Sequence, residues 1–140
     1  MKIITKTEKE TYNYAKNFAR TLEGGEIIGL KGELGAGKTI FTKGLAAGLG
    51  IKRNVNSPTF VIMKVYNVDK PQRQIKQLIH IDAYRIGSID DLVSIGAQEY
   101  FEDKQTIVVI EWINKIKMLH KFIDISITPL TEGKRKIEIK

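Results

Sequence analysis

The hydrophobic and polar positions in the first part of the chain predict helices and strands that alternate. A capping box at 7–10, with Thr7 as the N-cap, precedes apolar residues at helical spacing, and the glycine pair that follows ends this helix. The stretch 26–31 (EIIGLK) predicts a short buried strand. A second helix is predicted at 39–49 and ends at Gly50.

Strand patterns dominate the rest of the chain. Strands are predicted at 60–68 (FVIMKVYNV), 77–82 (QLIHID), 106–112 (TIVVIEW), 121–128 and 134–140, with one helix at 90–101. Strands that alternate with helices, with continuous apolar runs in the earlier strands, are typical of an α/β sheet covered on both faces. We therefore predict a mixed, mostly parallel sheet flanked by helices on both faces, with an antiparallel C-terminal edge formed by the last two strands.

Length and composition limit the class of protein. The chain has 140 residues, 42% of them hydrophobic and 28% charged, and it contains no cysteine. These values predict a single globular domain over 1–140 and exclude both a disulfide framework and a thiolate metal site. Since no apolar run approaches the roughly 20 residues of a membrane span and the N-terminal residues lack the apolar core of a signal peptide, we expect a cytoplasmic protein with no membrane association.

The net charge of +7 indicates an acidic partner, which could be a nucleotide, a nucleic acid or an acidic protein. The basic residues are scattered along the chain, and they form no RNA-recognition signature and no basic run with interleaved aromatic residues. Direct binding of RNA is therefore the less favoured interpretation of the charge.

The stretch GELGAGKT at 32–39 matches the phosphate-binding pattern G-x-x-x-x-G-K-[ST] and lies between a predicted strand and a predicted helix, as that pattern requires. Backbone N–H groups of the loop are expected to surround phosphates, and the helix N-terminus adds positive potential. Lys38 should reach the β- and γ-phosphates, and Thr39 should offer its hydroxyl to Mg²⁺. The predicted nucleotide-binding residues of the loop are Gly35, Ala36, Gly37, Lys38, Thr39 and Ile40.

Two carboxylates lie at the ends of apolar strand runs: Asp82 is the last residue of LIHID, and Glu111 is the last residue of IVVIE. Open α/β sheets bind ligands at the C-terminal ends of their strands, so both carboxylates are expected near the phosphates. We predict Thr39, Asp82 and Glu111 as the metal site and Lys38, Asp82 and Glu111 as the catalytic set. Which carboxylate binds Mg²⁺ and which orients the attacking water is left open.

The nucleotide is expected to be ATP. The stretch 114–117 (NKIK) is similar to the guanine-reading N-K-x-D of GTPases, but Lys117 stands where the aspartate would be. Asp82 also does not begin the D-x-x-G pattern of GTPases, because Arg85 stands where the glycine would be. A small-molecule kinase is one alternative, although no arginine for a lid follows Glu111 until Arg135. A nucleotide-gated RNA-binding protein is the second alternative.

Several short strings together resemble one family, TsaE, the ATPase of bacterial tRNA N6-threonylcarbamoyladenosine (t⁶A) biosynthesis. The matching strings are GELGAGKT at 32–39, VNSPTF at 55–60, HIDAYR at 80–85, GAQEYF at 96–101 and VIEW at 109–112. The resemblance implies a P-loop fold and Mg²⁺-dependent ATP hydrolysis that relies on the partner proteins TsaB and TsaD and allows their complex to turn over. It implies a contact with tRNA that is at most indirect.

The resemblance also implies roles for residues outside the loop. Ser57 and Thr59 look like a switch-like segment whose hydroxyls meet the γ-phosphate or its metal. Glu8, at the start of the first helix, and Arg135 are candidates for the adenine side of the site. Trp112, the only tryptophan, either packs in the core or lies near the nucleotide or a partner protein.

Overall fold

The computed structural model describes residues 1–33, 35–56, 63–71, 73–84 and 89–140. Leu34 of the phosphate loop, the predicted switch residues Ser57 and Thr59, and Arg85 lie outside the described residues. The strands are β1 (Lys2–Thr5), β2 (Ile27–Lys31), β3 (Met63–Asn67), β4 (Gln77–Asp82), β5 (Thr106–Glu111), β6 (Ile123–Pro129) and β7 (Arg135–Ile139). The α-helices are α1 (Glu8–Ala19), α2 (Lys38–Leu49) and α3 (Ile89–Ser94), and short 3₁₀ turns occur at Ala97–Tyr100, Ile113–Lys115 and Thr131–Gly133.

The described strands form one sheet in the order β1-β7-β6-β2-β5-β4-β3. β6, β2, β5 and β4 are parallel to one another, whereas β7 is antiparallel to β6 and β3 is antiparallel to β4. β1 is antiparallel to β7 and therefore runs in the direction of the central strands. The predicted mixed, mostly parallel sheet is confirmed.

The predicted C-terminal edge needs a correction. β6 and β7 are antiparallel, as expected, but they are not the edge, because the N-terminal strand β1 pairs along the outer side of β7. β1 has only four residues, and Ile4 points to solvent. Four residues are too few for an alternating pattern to be distinguished from a loop, so the sequence did not reveal this strand.

The sheet separates two hydrophobic cores, because consecutive strand residues point to opposite faces. On one face, Ile28, Leu30 and Val109 pack with residues of α1 and α2. On the other face, Ile27 and Val108 pack with residues of α3 and of the 3₁₀ turns. Helices on both faces of the sheet are therefore confirmed.

Helix α1 begins at the predicted cap. The Thr7 hydroxyl accepts a hydrogen bond from the backbone N–H of Glu10 at 3.1 Å. The Glu10 carboxylate accepts from the backbone N–H of Lys6, one residue before the position that a capping box uses. The N-terminal cap of α1 is confirmed, with the reciprocal bond shifted by one residue.

The two glycines within α2, Gly44 and Gly48, allow close packing against helix α1. A Cβ atom at Gly44 would lie 2.8 Å from the Cβ of Ala15, and one at Gly48 would lie 2.7 Å from the Cβ of Ala19. Backbone carbonyls of α1 lie closer still. The glycine face of α2 therefore packs against α1, and each glycine permits the two helices to approach one another.

The predicted helix at 90–101 is broken. α3 ends at Ser94, and Gly96 has a φ of +82°, in the left-handed region that glycine adopts without strain. A 3₁₀ turn follows Gly96. The strand predicted at 106–112 also ends one residue early, since Trp112 leaves the extended conformation with a φ of +61°.

Candidate nucleotide-binding site

The loop between β2 and α2 has the backbone geometry of a phosphate-binding loop. Gly37 is the N-cap of α2 and has a φ of +108°, which strongly favours glycine. α2 then begins at Lys38 and continues for 12 residues. The N–H groups of its first turn have no partner within the helix and therefore remain available to an anion.

Lys38 lies inside this loop. It is a buried residue, and its ammonium donates hydrogen bonds to the backbone carbonyls of Gly32 and, at 3.1 Å, of Glu33. The Nζ atom also lies 3.9 Å from the ring centroid of Trp112, a cation–π distance. The chain thus holds the lysine at the loop with carbonyl oxygens and an aromatic face.

The surroundings of Lys38 shift its pKa. Burial lowers the pKa below its usual range, and the negative charges of Glu111 and Asp82 act in the opposite direction. Both carboxylates therefore lie close enough to interact electrostatically with the phosphate-loop lysine. The sequence predicted this grouping, because the strands that carry the carboxylates end at the same edge of the sheet.

Asp82 and Glu111 are register partners on the adjacent parallel strands β4 and β5, so their Cα atoms are about 4.8 Å apart. Their environments differ. Asp82 is half-buried, and its Oδ1 accepts a hydrogen bond from the backbone N–H of Tyr84 at 2.9 Å. The side chain of Glu111 is only 4% exposed, and its Oε2 is hydrogen-bonded to Nε2 of the fully buried His80.

An aromatic pair lies beside the lysine. The rings of Trp112 and Tyr84 meet edge to face with centroids 5.0 Å apart. The ammonium of Lys115 lies 5.0 Å from the Tyr84 centroid, and Tyr84 is 48% exposed. Trp112 therefore contacts both Lys38 and the exposed Tyr84, and it also packs against the hydrophobic core that includes residues of α3.

Arg135, at the start of β7, contacts the phosphate loop from a distant part of the chain. Its Nε donates to the carbonyl of Ala36 at 2.8 Å, and one terminal nitrogen donates to the carbonyl of Gly133 at 3.0 Å. A Cβ atom at Gly37 would lie 2.7 Å from the Arg135 Nε. The guanidinium thus packs directly on the loop, and its predicted adenine contact stays a prediction.

The remaining predicted residues lie as follows. Thr39 and Ile40 are half-buried in the first turn of α2, and Glu8 is exposed in the first turn of α1. The start of α1 lies near the β6–β7 turn, since a Cβ atom at Gly133 would be 4.0 Å from the carbonyl oxygen of Lys6. The ligand roles of these residues, and of Gly35, Ser57 and Thr59, stay predictions.

The donors at this edge fit a magnesium ion bound together with phosphates. Among the described residues, the Thr39 hydroxyl makes no hydrogen bond, and the half-buried carboxylate of Asp82 uses one oxygen for a backbone N–H. No group of three or more acidic, histidine or cysteine side chains forms a metal-binding cluster within that part of the chain. Mg²⁺ in nucleotide sites needs only one or two carboxylates, because phosphates and waters supply its other ligands.

A buried parallel strand leads into a glycine loop and then a helix, while carboxylates end the neighbouring strands, and this arrangement is that of a P-loop NTPase fold. A family model described as "Threonylcarbamoyl adenosine biosynthesis protein TsaE" matches residues 5–137. The chain belongs to the TsaE family.

Curated relatives and a solved structure agree with this assignment. Several curated relatives carry the name tRNA threonylcarbamoyladenosine biosynthesis protein TsaE, and three of them are compared with the chain below. The Treponema pallidum protein is 36% identical over 141 residues (99% of this chain and 99% of the relative), the Aquifex aeolicus protein 39% over 139 residues (98% and 93%), and the Bacillus subtilis protein 43% over 117 residues (84% and 69%). The crystal structure of YdiB from Bacillus subtilis superposes with a TM-score of 0.77 at 33% identity, covering 99% of this chain and 83% of that one.

No helix in the described part of the chain has both the length and the apolar composition needed to cross a bilayer.

Proposed function

We propose that this protein is a cytoplasmic, Mg²⁺-dependent ATPase that supports t⁶A modification of tRNA and hydrolyses ATP when bound to a TsaB–TsaD complex. The observation that carries the proposal is the grouping of Lys38 with Asp82 and Glu111 at one end of the sheet, in a chain that belongs to the TsaE family. The names of the relatives supply the pathway.

Each loop residue has a role in binding the nucleotide. Backbone N–H groups at the start of α2 hold the phosphates, and Lys38 moves its donors from the carbonyls of the loop to phosphate oxygens. Thr39 and Asp82 are the residues that would hold Mg²⁺, since both keep oxygen donors free of side-chain partners in the described structure. The metal supplies neutralisation of phosphate charge.

Glu111 acts on the attacking water. Its buried carboxylate is fixed by His80 and is poorly placed for the water-rich shell that Mg²⁺ retains, whereas Asp82 is more exposed. We therefore assign Glu111 to orienting the water that attacks the γ-phosphorus and Asp82 to the metal. Hydrolysis then breaks the bond between the γ-phosphorus and the bridging oxygen and releases ADP and phosphate.

One surface cavity among the described residues is too far from the phosphate loop to be the acceptor site of a kinase. A cavity of about 390 Å³ is lined by Gly50 and Leu49 at the C-terminal end of α2, together with Asp69 and Arg73. The phosphate loop lies at the opposite end of this 12-residue helix, about 18 Å away. An acceptor bound in that cavity would be too far from the γ-phosphate to receive it.

The test is a coupled ATPase assay with the purified chain, alone and with TsaB–TsaD. We expect slow hydrolysis by the chain alone and faster hydrolysis with the complex. Lys38→Ala and Glu111→Gln should remove the stimulated activity, while Lys43→Ala, a matched lysine on the same helix, should retain it. Turnover that does not change on adding the complex would contradict the proposal.

Binding can be measured independently of turnover. Trp112 is the only tryptophan of the chain, and it contacts Lys38. Binding of a nucleotide that moves Lys38 should therefore change the fluorescence of Trp112. The RNA-binding alternative predicts instead that the isolated chain binds tRNA with an affinity that falls steeply with salt.

A further inference from the structure

His80 is a buried polar residue that contacts Glu111 but has been given no role of its own in the proposed reaction. It lies in β4 between Ile79 and Ile81, both of which pack in the core beneath α3, and its side chain is fully buried. Its own side chain points to the other face of the sheet, which also carries Asp82 and Glu111. An imidazole with no access to water is therefore placed on the catalytic face of the strand.

The hydrogen bond to Glu111 determines how this imidazole is protonated. A carboxylate only accepts hydrogen bonds, so Nε2 of His80 must be the donor to Oε2 of Glu111. The other ring nitrogen, Nδ1, is buried and has no hydrogen-bond partner in the described structure. In a neutral imidazole with its proton on Nε2, Nδ1 carries no proton, so the group left without a partner is a lone pair and not an N–H.

This arrangement has a cost. A buried polar atom without a partner lowers stability, and Nδ1 of His80 is such an atom in the described structure. What histidine provides and leucine lacks is a hydrogen bond to one oxygen of Glu111. The other carboxylate oxygen makes no hydrogen bond to the described residues, and Lys38 interacts electrostatically with the same carboxylate.

The strand register explains why this residue can hold that carboxylate. His80 pairs with Val109, one rung before the pair formed by Asp82 and Glu111 at the strand ends. The His80 side chain, two residues before Asp82 on the neighbouring strand, thus holds the carboxylate of Glu111. Without such a contact, the terminal torsion of a glutamate side chain varies broadly.

We propose that His80 is a positioning residue that holds one oxygen of Glu111 and thereby directs the other oxygen to the attacking water. This inference rests on the proposed function, since it assumes that Glu111 acts on water during ATP hydrolysis. Residues that orient a catalytic or metal-binding side chain typically change activity about 10- to 100-fold when they are removed.

The first test compares three substitutions of His80 in the assay stimulated by TsaB–TsaD. His80→Gln keeps an amide donor near the position of Nε2. His80→Asn has its amide donor near the position of Nδ1, and its side chain is too short for that donor to reach Glu111. His80→Leu has no donor. We expect kcat to fall at least about tenfold for the Leu and Asn variants and to be largely restored in the Gln variant. The KM for ATP and the nucleotide affinity reported by Trp112 should stay close to those of the unmodified chain.

Thermal unfolding distinguishes positioning from a structural role. We expect His80→Leu and His80→Asn to unfold at a lower temperature, because the buried Glu111 carboxylate loses a hydrogen-bond partner. Both variants should nevertheless stay folded at the assay temperature while their kcat is low. Full activity in His80→Leu, or a loss of activity that follows loss of folding in all three variants, would overturn the proposal. If the unmodified chain hydrolyses no ATP with its partners, the proposed function fails instead.

A second measurement needs no activity and no variant of His80. The chain contains two histidines, so ¹⁵N NMR of the imidazoles with His120→Gln to assign the other ring reports the tautomer of His80. We expect a proton on Nε2, protected from exchange with water, and a signal that shifts in Glu111→Gln. A proton on Nδ1, or rapid exchange at Nε2, would refute the hydrogen bond and the proposal with it.

Discussion

Alanine in place of Gly44 or Gly48 should destabilise the protein, although alanine is the better helix former. The Cβ atoms would lie 2.8 Å and 2.7 Å from the Cβ atoms of Ala15 and Ala19. Carbon atoms in contact are ordinarily 3.5–4.0 Å apart. The helices α1 and α2 would therefore have to separate by about 1 Å at each site.

The magnitude follows from two opposing effects. Overpacking a well-packed interface costs about 1–3 kcal/mol. Replacing a helical glycine by alanine returns about 1 kcal/mol through lower backbone entropy in the unfolded state. At each site the new methyl group would meet both a backbone carbonyl oxygen and an alanine Cβ atom of α1. The cost of overpacking should therefore be near the upper end of its range. We expect a net loss of about 1–2 kcal/mol per substitution.

Urea unfolding at 25 °C, followed by circular dichroism, measures this loss. Ala47→Gly, on a half-buried position of the same helix, is the matched control and should lose about 1 kcal/mol through helix propensity alone. In a double-mutant cycle, Ala15→Gly should recover part of the loss caused by Gly44→Ala. A Gly44→Ala variant that is about 1 kcal/mol more stable than the unmodified chain would refute the close approach of the two helices.

Two further predictions concern the phosphate loop. Arg135→Ala removes a charged hydrogen-bond donor from the carbonyl of Ala36. A hydrogen bond of this kind contributes about 1.5 kcal/mol, so calorimetry should show that nucleotide binds about tenfold more weakly. An unchanged affinity would contradict a role for Arg135 in holding the loop. Burial lowers the pKa of Lys38 below the usual lysine value of 10.5. The unfolded chain therefore binds more protons at pH values between the folded and unfolded pKa, and the contribution of Lys38 to stability rises with pH in that range. The difference in unfolding free energy between the unmodified chain and Lys38→Met should therefore move in favour of the unmodified chain as pH rises toward 10.5, and a constant difference would contradict the shift.

Features that depend on neighbouring residues in the chain were predictable from the sequence. The phosphate loop, the Thr7 cap and the strand at 77–82 each depend on residues that are close in sequence, and the structure agrees with the predicted bounds to within a residue or two. The common location of Asp82 and Glu111 followed from the general rule that parallel strands end at one edge.

The missed features depend on contacts between distant segments. The pairing of β1 with β7 joins the two ends of the chain, and nothing in the four residues of β1 indicates its partner. The hydrogen bond between His80 and Glu111 requires the register of β4 on β5, which neither strand specifies alone. The contact of Arg135 with the loop likewise spans about 100 positions. The sequence contained each of these residues, but only the fold brings them to the same site.

The balance of charge at the site supports the metal dependence that we propose. Lys38 and Arg135 bring two positive charges to the phosphate loop, and Asp82 and Glu111 bring two negative charges to the strand ends beside it. The cluster is therefore close to neutral before any ligand binds.

A nucleoside triphosphate adds several negative charges within a few ångströms of two carboxylates, and such charges repel strongly where solvent screening is reduced. The lysine alone cannot compensate for them, because the carboxylates already offset it. A divalent cation, which Asp82 would help to hold, would supply the missing positive charge, so we expect nucleotide affinity to depend on Mg²⁺ more steeply here than in a loop without acidic neighbours.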